Sequence, residues 1–223
     1  MPKVDKEDFQ LFEVSIINHE EISPGVFFLS VQREWNFIPG QVVKIALNRE
    51  HPPRIYSICS GANDDELSIL YNIKEDGFLT PQLASYIPGE NILISKPYGS
   101  FTDSGEAAWW IATGTGIAPF YSMIRSGLSE KKKLIHGAKF LNQFYFEDEL
   151  EEVLENNYIR CCSREESCDV FPGRVSDYLN TLPEIPKNIK YFLCGKALMV
   201  VETRDLLIEK GVPFENIMAE IYF

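Results

Sequence analysis

The 223 residues are enough for two domains that each bury a core, and 45% hydrophobic side chains argue against an intrinsically disordered chain. The formal net charge of −12 argues against nucleic acid or an anionic membrane as a partner, since both need a basic surface. No apolar run approaches the roughly 18 residues that span a bilayer, and the polar first ten residues predict no secretory signal.

Short apolar segments punctuated by Gly, Pro and Asp fill residues 9 to about 100. They are FQLFEVSIINHE, GVFFLSVQ, QVVKIAL, RIYSICS, ELSILYNI and NILISK. Regular short strands of this kind predict an antiparallel β-barrel or sandwich. The stretch TPQLASYI interrupts them and predicts a short helix, with Thr80 as its cap and Pro81 in its first turn.

Strands alternate with helical patterns from residue 107 onward. WWIAT, KKLIHGA, YIRCC, IKYFLCG and IMAEIYF read as strands, with helix-like segments between them. This alternation predicts an α/β domain with a parallel sheet covered on both faces. The small and acidic residues of YGSFTDSGEAA mark the junction, so we expect domains at 1–103 and 104–223.

The five cysteines are odd in number and form no CxxC pair. They are Cys59, Cys161, Cys162, Cys168 and Cys194. This usage predicts a reducing, cytoplasmic setting without a disulfide framework. The three histidines are scattered along the chain, so no metal site is expected.

The second domain opens on a strand that runs into Gly114-Thr115-Gly116 and then a helix. Small residues let the backbone approach a phosphate, and a helix N-terminus attracts anions. Pro119 replaces the third glycine of the usual dinucleotide fingerprint. The turn alone therefore leaves open a purely structural role, in which a helix packs tightly on a strand.

Two arginines stand near the end of the strand YIRCC in this acidic chain: Arg164, which follows Ser163, and Arg174. A guanidinium suits the 2′-phosphate of NADP, whereas an acidic residue at this place favours NAD. A surface ion pair with Glu165 or Glu166 is the alternative interpretation.

Cys194 ends another strand at the edge of the sheet where such folds bind ligands, although a free Cys is more often inert core. The chain finishes on Glu220, Tyr222 and Phe223. Chain ends normally fray, so two terminal aromatic residues suggest that they cover something flat.

Together these residues resemble the ferredoxin–NADP reductase family, most closely its bacterial subclass. The resemblance covers nearly the whole chain. It rests, in order, on RIYS at 54–57, GFLT at 77–80, TGTGIAP at 113–119, SRE at 163–165 with Arg174, and CG at 194–195 with Met199.

The resemblance implies an FAD site on the first domain. Tyr56 would lie flat on the flavin, Ser57 near flavin N5, and Arg54 at the pyrophosphate. The remaining implied FAD contacts are Gly77, Leu79 and Thr80 at the turn, the backbone of Tyr71, Asn72 and Ile73 at the ribityl chain, Tyr222 on the other flavin face, and Phe223 on the adenine.

The resemblance also implies an NADP site on the second domain. Its implied residues are Thr113, Gly114, Thr115, Gly116, Lys139, Ser163, Arg164, Arg174, Cys194, Gly195 and Met199. Lys139 stands where bacterial relatives carry an Arg. Ser57, Cys194, Glu220 and Tyr222 are the implied catalytic set, which would shape the nicotinamide pocket.

The implied activity is hydride transfer between NADPH and FAD, with single electrons passing to or from ferredoxin or flavodoxin. Two alternatives stay open: an NADH-dependent reductase component of an oxygenase or larger complex, and a flavin-binding module without turnover. The run Lys131-Lys132-Lys133 is either a docking patch for an acidic redox partner or a solvated loop. We expect a monomer.

Overall fold

The computed structural model of the chain describes residues 10–222, which form two six-stranded sheets. The first sheet contains β1 (Leu11–Ser23), β2 (Val26–Gln32), β3 (Val42–Ala46), β4 (Arg54–Ser57), β5 (Glu66–Asn72) and β6 (Asn91–Ser95). Its strands are antiparallel in the order β4-β3-β6-β1-β2-β5. A bridge between Ile58 and Ile69 joins its two edges, so the predicted barrel is confirmed.

The short helix α1 (Leu79–Leu83) packs Leu83 into the barrel core, which includes Val43, Ile45 and Ile69. The predicted cap was wrong, because α1 begins at Leu79 and Thr80 lies inside its first turn. The Thr80 hydroxyl instead accepts a hydrogen bond of 2.9 Å from the backbone N–H of Lys74. Thr80 therefore closes the loop that precedes the helix.

The second sheet is parallel, as predicted, and has the order β10-β9-β8-β7-β11-β12. Its strands are β7 (Ala108–Thr113), β8 (Lys132–Ala138), β9 (Tyr158–Cys162), β10 (Phe171–Pro172), β11 (Lys190–Lys196) and β12 (Ile217–Tyr222). Its helices are α2 (Ala118–Arg125), α3 (Glu147–Leu154), α4 (Val175–Thr181) and α5 (Ala197–Glu209). The two-residue β10 is too short to show a strand pattern in the sequence.

Both faces of this sheet are covered. Trp110 of β7 packs with α2 and α3 residues such as Phe120 and Leu150, whereas the next residue, Ile111, packs with Leu179 and Leu207 of α4 and α5. Alternate residues of a strand face opposite sides of the sheet, so the buried strand β7 packs against helices on both faces. No helix among residues 10–222 is long and apolar enough to cross a membrane.

Polar contacts join helix α2 to the barrel. The Ser122 hydroxyl donates to the carbonyl of Ser60 at 2.6 Å, and the Ser126 hydroxyl accepts from the N–H of Ala62 at 2.9 Å. Arg125 pairs with Asp64 at 3.1 Å. These contacts hold the barrel against α2, the first helix that covers the parallel sheet.

The basic run at 131–133 is neither a solvated loop nor a uniform docking patch. Lys132 opens β8 with a fully buried side chain, and its ammonium donates to Asp103 Oδ1 at 2.7 Å. The indole of Trp110 donates to Asp103 Oδ2 at 2.9 Å. A buried charge needs a partner of this kind, and Asp103 supplies it from the segment between the two sheets.

Candidate functional site

A cavity of about 830 Å³ lies between the barrel and the carboxyl ends of the parallel strands. Such folds bind ligands at this edge of the sheet. Its lining includes these residues expected from the sequence: Asn72, Ile73, Thr113, Gly114, Thr115, Lys139, Ser163, Arg164, Arg174, Gly195, Met199 and Tyr222. Residues that lie far apart in the chain therefore share one cavity, large enough for a nucleotide-sized ligand.

The turn after β7 depends on two close backbone approaches. A Cβ on Gly116 would lie 2.4 Å from the carbonyl oxygen of Cys194. Gly195 has φ +141°, and a Cβ there would lie 2.4 Å from Thr113 Oγ1. Any larger residue at either position would separate the turn from β11. The structural role and a ligand-binding role of this turn are thus compatible.

Thr113 provides a test of whether a polar ligand fits this cavity. Its hydroxyl is buried and has no hydrogen-bond partner among residues 10–222, although Thr113 lines the cavity. Buried polar groups are normally satisfied, so an orphaned hydroxyl indicates a missing polar partner. A dinucleotide, with its many hydroxyl and phosphate groups, would suit this position.

The basic end of the cavity is formed by Lys139, Arg164 and Arg174. Within residues 10–222 none of the three forms an ion pair. The alternative ion pair of Arg164 with Glu165 or Glu166 is not formed among residues 10–222, and Glu165 Oε2 instead accepts a 2.6 Å hydrogen bond from the N–H of Leu141. Three cations without an ion-pair partner in an acidic protein indicate an anionic ligand.

The predicted catalytic set comes together beside the cavity: Tyr222 lines it, and Ser57, Cys194 and Glu220 lie next to Tyr222. The Tyr222 hydroxyl donates to Ser57 Oγ at 2.5 Å, and Ser57 Oγ donates to Glu220 Oε2 at 3.3 Å. In the parallel register Cys194 of β11 lies beside Glu220 of β12. Ser57 comes from the barrel and the other three from the parallel sheet, so the set exists only where both meet.

Burial dominates the electrostatics of this network. It raises the pKa of Glu220 to about 7, although the Ser57 hydroxyl acts in the opposite direction. Burial and the neighbouring Glu220 raise the pKa of the Cys194 thiol well above its ordinary value. Cys194 is therefore a neutral thiol at neutral pH and not a nucleophile, whereas Glu220 can exchange a proton near pH 7.

Replacing Glu220 with Gln should change how stability depends on pH. Because the folded-state pKa exceeds the unfolded value of 4.5, the Glu220 contribution is fully present below pH 4.5 and is lost as the pH rises towards 7. Urea unfolding should be measured at a series of pH values. Between pH 4.5 and 7 the free energy of unfolding of E220Q should rise by about 3 kcal/mol relative to that of the wild type. A pH-independent difference would contradict the assigned environment.

Tyr56 and Tyr71 have different surroundings in the barrel. Tyr56 is half-buried on β4 between the exposed Arg54 and Ile55 and the buried Ser57. Its ring meets Tyr71 edge-on at 6.1 Å. The Tyr71 side chain itself is buried. Only its backbone could take the expected ribityl role.

The loop before α1 keeps the expected turn in place. The N–H of Gly77 donates to the carbonyl of Lys74 at 2.7 Å, and Leu79 and Thr80 are buried. Phe223 lies outside the described residues, so its expected adenine contact stays a prediction.

Sequence reasoning missed several residues of the cavity. They are Pro24, Gly25, Val26, Lys74, Glu75, Gly137, Ala138, Gln143, Tyr145, Cys161, Val175, Ser176, Lys196, Leu198, Glu202 and Thr203. Thr203 is fully buried and its hydroxyl has no partner among residues 10–222. No motif marks these positions, because loops and helices from different parts of the chain bring them to the cavity.

Comparison with known proteins agrees with this geometry. Residues 110–205 match the family described as the oxidoreductase NAD-binding domain. The chain is 29% identical to a flavodoxin/ferredoxin–NADP reductase of Rhodobacter capsulatus, over 79% of this chain and 77% of that protein. It is 24% identical to the toluate 1,2-dioxygenase electron transfer component of Pseudomonas putida, over 94% and 67% of the two chains.

The fold is shared with a ferredoxin NADP⁺ reductase from Neisseria gonorrhoeae solved with bound FAD and NADP. The TM-score is 0.86 at 22% identity, and the match covers 96% of this chain and 99% of that one. The barrel, the parallel sheet and the matches along both halves point in one direction. Over most of its length the chain is similar to ferredoxin/flavodoxin–NADP reductases, and it shares their fold.

Proposed function

We propose that this protein binds FAD and NADP(H) and transfers hydride between them, exchanging single electrons with a small redox protein. One observation carries the proposal. A single cavity is lined by Lys139, Arg164 and Arg174, which form no ion pair within residues 10–222, and by Tyr222, whose hydroxyl is bonded to Ser57. The three cations suit a 2′-phosphate, and the surroundings of Tyr222 suit a nicotinamide that must meet a flavin.

The barrel supplies the residues that would hold FAD. Arg54 is exposed and available to a pyrophosphate, while Tyr56 and Tyr222 offer aromatic faces to the flavin. FAD, when bound, supplies the chemistry, because a flavin accepts two electrons as hydride and releases them singly. A direct test is whether the purified protein is yellow and releases FAD on denaturation.

The chain's own residues position the reactants. The Ser57 hydroxyl is fixed between Tyr222 and Glu220, so it can orient a neighbouring polar group. Glu220 can hold or release a proton near neutral pH. The neutral Cys194 thiol is fully buried and lies beside Glu220 in the paired strands. Hydride transfer needs no general base, and we assign none.

Tyr222 is proposed to act as a movable cover. Replacing Tyr222 with Ser should raise the affinity for NADP⁺ by roughly 2- to 13-fold and slow turnover, because an aromatic contact of this kind is worth about 0.5–1.5 kcal/mol. Equilibrium titration of the flavin absorbance with NADP⁺ measures the affinity. Tyr222→Phe is the matched control, since it keeps the ring and should bind like the wild type. Unchanged binding in the Ser variant would remove the covering role.

The electron partner is proposed to be ferredoxin or flavodoxin. A reductase component of an oxygenase is the second candidate, favoured by the similarity to the dioxygenase electron transfer component. We further propose a domain boundary at 103/104, a monomer, and a cytoplasmic location, the last consistent with the five free cysteines of the described chain. NADPH-driven reduction of an artificial acceptor would separate either reductase from a flavin-binding module without turnover.

A further inference from the structure

A loop at residues 163–170 separates the two arginines of the basic end. It leaves β9 after Cys162 and returns alongside as β10, where Phe171 pairs with Cys161. The N–H of Gly173 donates to the carbonyl of Cys162 at 2.8 Å and closes the base of the loop. Arg164 is the second residue of the loop and Arg174 follows the loop, so the position of the loop affects Arg164 directly.

Asp169 holds the returning limb of this loop. Its carboxylate accepts hydrogen bonds from the guanidinium of Arg160 and from the hydroxyl of Ser167. Arg160 lies on β9, and only 10% of its side chain is exposed. It also pairs with Glu147 and with Glu151, the latter at 2.7 Å, both on α3. Asp169 is therefore bound to a cation that is itself fixed between a strand and a helix.

A second carboxylate holds the outgoing limb. Glu165 accepts from the N–H of Leu141 at 2.6 Å, in the segment that follows Lys139. The loop is thus tied to β9 through Asp169 and to the Lys139 segment through Glu165. With both ties in place, Arg164 lines the cavity and forms no ion pair with any other residue of the described range 10–222.

We propose that Asp169 is a positioning residue for recognition of the 2′-phosphate: through Arg160 it holds the loop so that Arg164 faces the cavity. This inference rests on the proposed NADP(H) function. It has a counterintuitive consequence, because Asp169 is itself negative and near a basic site. Charge alone predicts that its removal favours a phosphate, whereas the positioning role predicts weaker binding.

The opposite signs make a direct binding experiment decisive. Adenosine 2′,5′-bisphosphate is titrated calorimetrically into the purified holoprotein as wild type, Asp169→Ala and Asp169→Asn. We expect the Kd to rise about tenfold in D169A, the factor that corresponds to the loss of one charge-assisted contact. The Kd of D169N should lie between those of the wild type and D169A, because an amide oxygen can still accept a hydrogen bond from Arg160. Binding of 5′-AMP, which lacks the 2′-phosphate, should be the same in all three.

Asp205→Asn is the matched control. Asp205 is similarly exposed and pairs with Arg204 at 2.7 Å, but it is not part of the cavity lining. The substitution D205N removes the same charge from the protein as D169N does, and it should leave the Kd for the bisphosphate unchanged. Equal or tighter binding of the bisphosphate by D169A and D169N would overturn the positioning role. A wild type that fails to prefer the bisphosphate over 5′-AMP would instead reject the proposed NADP(H) site.

Discussion

Replacing Lys132 with Met should lower the free energy of unfolding by about 3–5 kcal/mol. The substitution leaves Asp103 buried and charged, with the Trp110 indole as a remaining donor at 2.9 Å. Removing one partner of a buried pair costs more than the pair contributes, because the other charge loses its compensation. Urea denaturation of the purified protein measures the effect.

Lys131→Met is the control for this variant. Lys131 loses the same charge, but its side chain is 69% exposed and its pair with Glu130 at 3.4 Å lies on the surface. Exposed pairs contribute roughly 0–1 kcal/mol, so K131M should unfold close to the wild type. If K132M and K131M unfold at the same urea concentration, Lys132 is not in a buried ion pair.

Replacing Arg164 with Ala should remove most of the preference for NADPH over NADH. A hydrogen bond to a charged group is worth about 1.5–3 kcal/mol, which corresponds to roughly 10–150-fold in kcat/KM. The loss should fall on NADPH alone, because NADH carries no 2′-phosphate for Arg164 to contact. Steady-state reduction of an artificial acceptor with each nucleotide measures both values.

The choice of control separates a local contact from a general loss of positive charge. Arg204→Ala removes an arginine that pairs with Asp205 and is not part of the cavity lining. It should leave both kcat/KM values unchanged. An equal loss with NADPH and NADH in R164A would show that Arg164 supports the fold of the site and not recognition of the phosphate.

Patterns that repeat along the chain were enough to predict the two sheets. The alternation of short strands and turns gave the barrel, and the strand–helix alternation gave the parallel sheet. Lys132 could not be predicted in the same way. Three consecutive lysines look solvated in the sequence, and only the fold brings Asp103 to the middle one.

Local motifs predicted residues that the structure brings to one cavity, whereas the residues that distant segments bring to the same cavity were not predicted. Gly116 and Gly195 were expected as nucleotide-site residues from the motifs TGTGIAP and CG, and the structure adds that a Cβ on either would lie 2.4 Å from its neighbour. Lys74, Glu202 and Thr203 reach the same cavity from the barrel and from α5 without any motif. The contact with the ribityl chain was predicted for the backbone of Tyr71. The hydroxyl of its side chain forms a hydrogen bond of 2.8 Å with His19 Nε2.

The most direct test of the account is anaerobic stopped-flow reduction of the purified protein with NADPH and, separately, with NADH. Flavin bleaching reports hydride arrival, and the two nucleotides differ only in the 2′-phosphate that Lys139, Arg164 and Arg174 are proposed to bind. We expect bleaching to be much faster with NADPH. Equal or faster bleaching with NADH would contradict the 2′-phosphate site and favour the oxygenase reductase, and a protein without flavin would contradict the whole account.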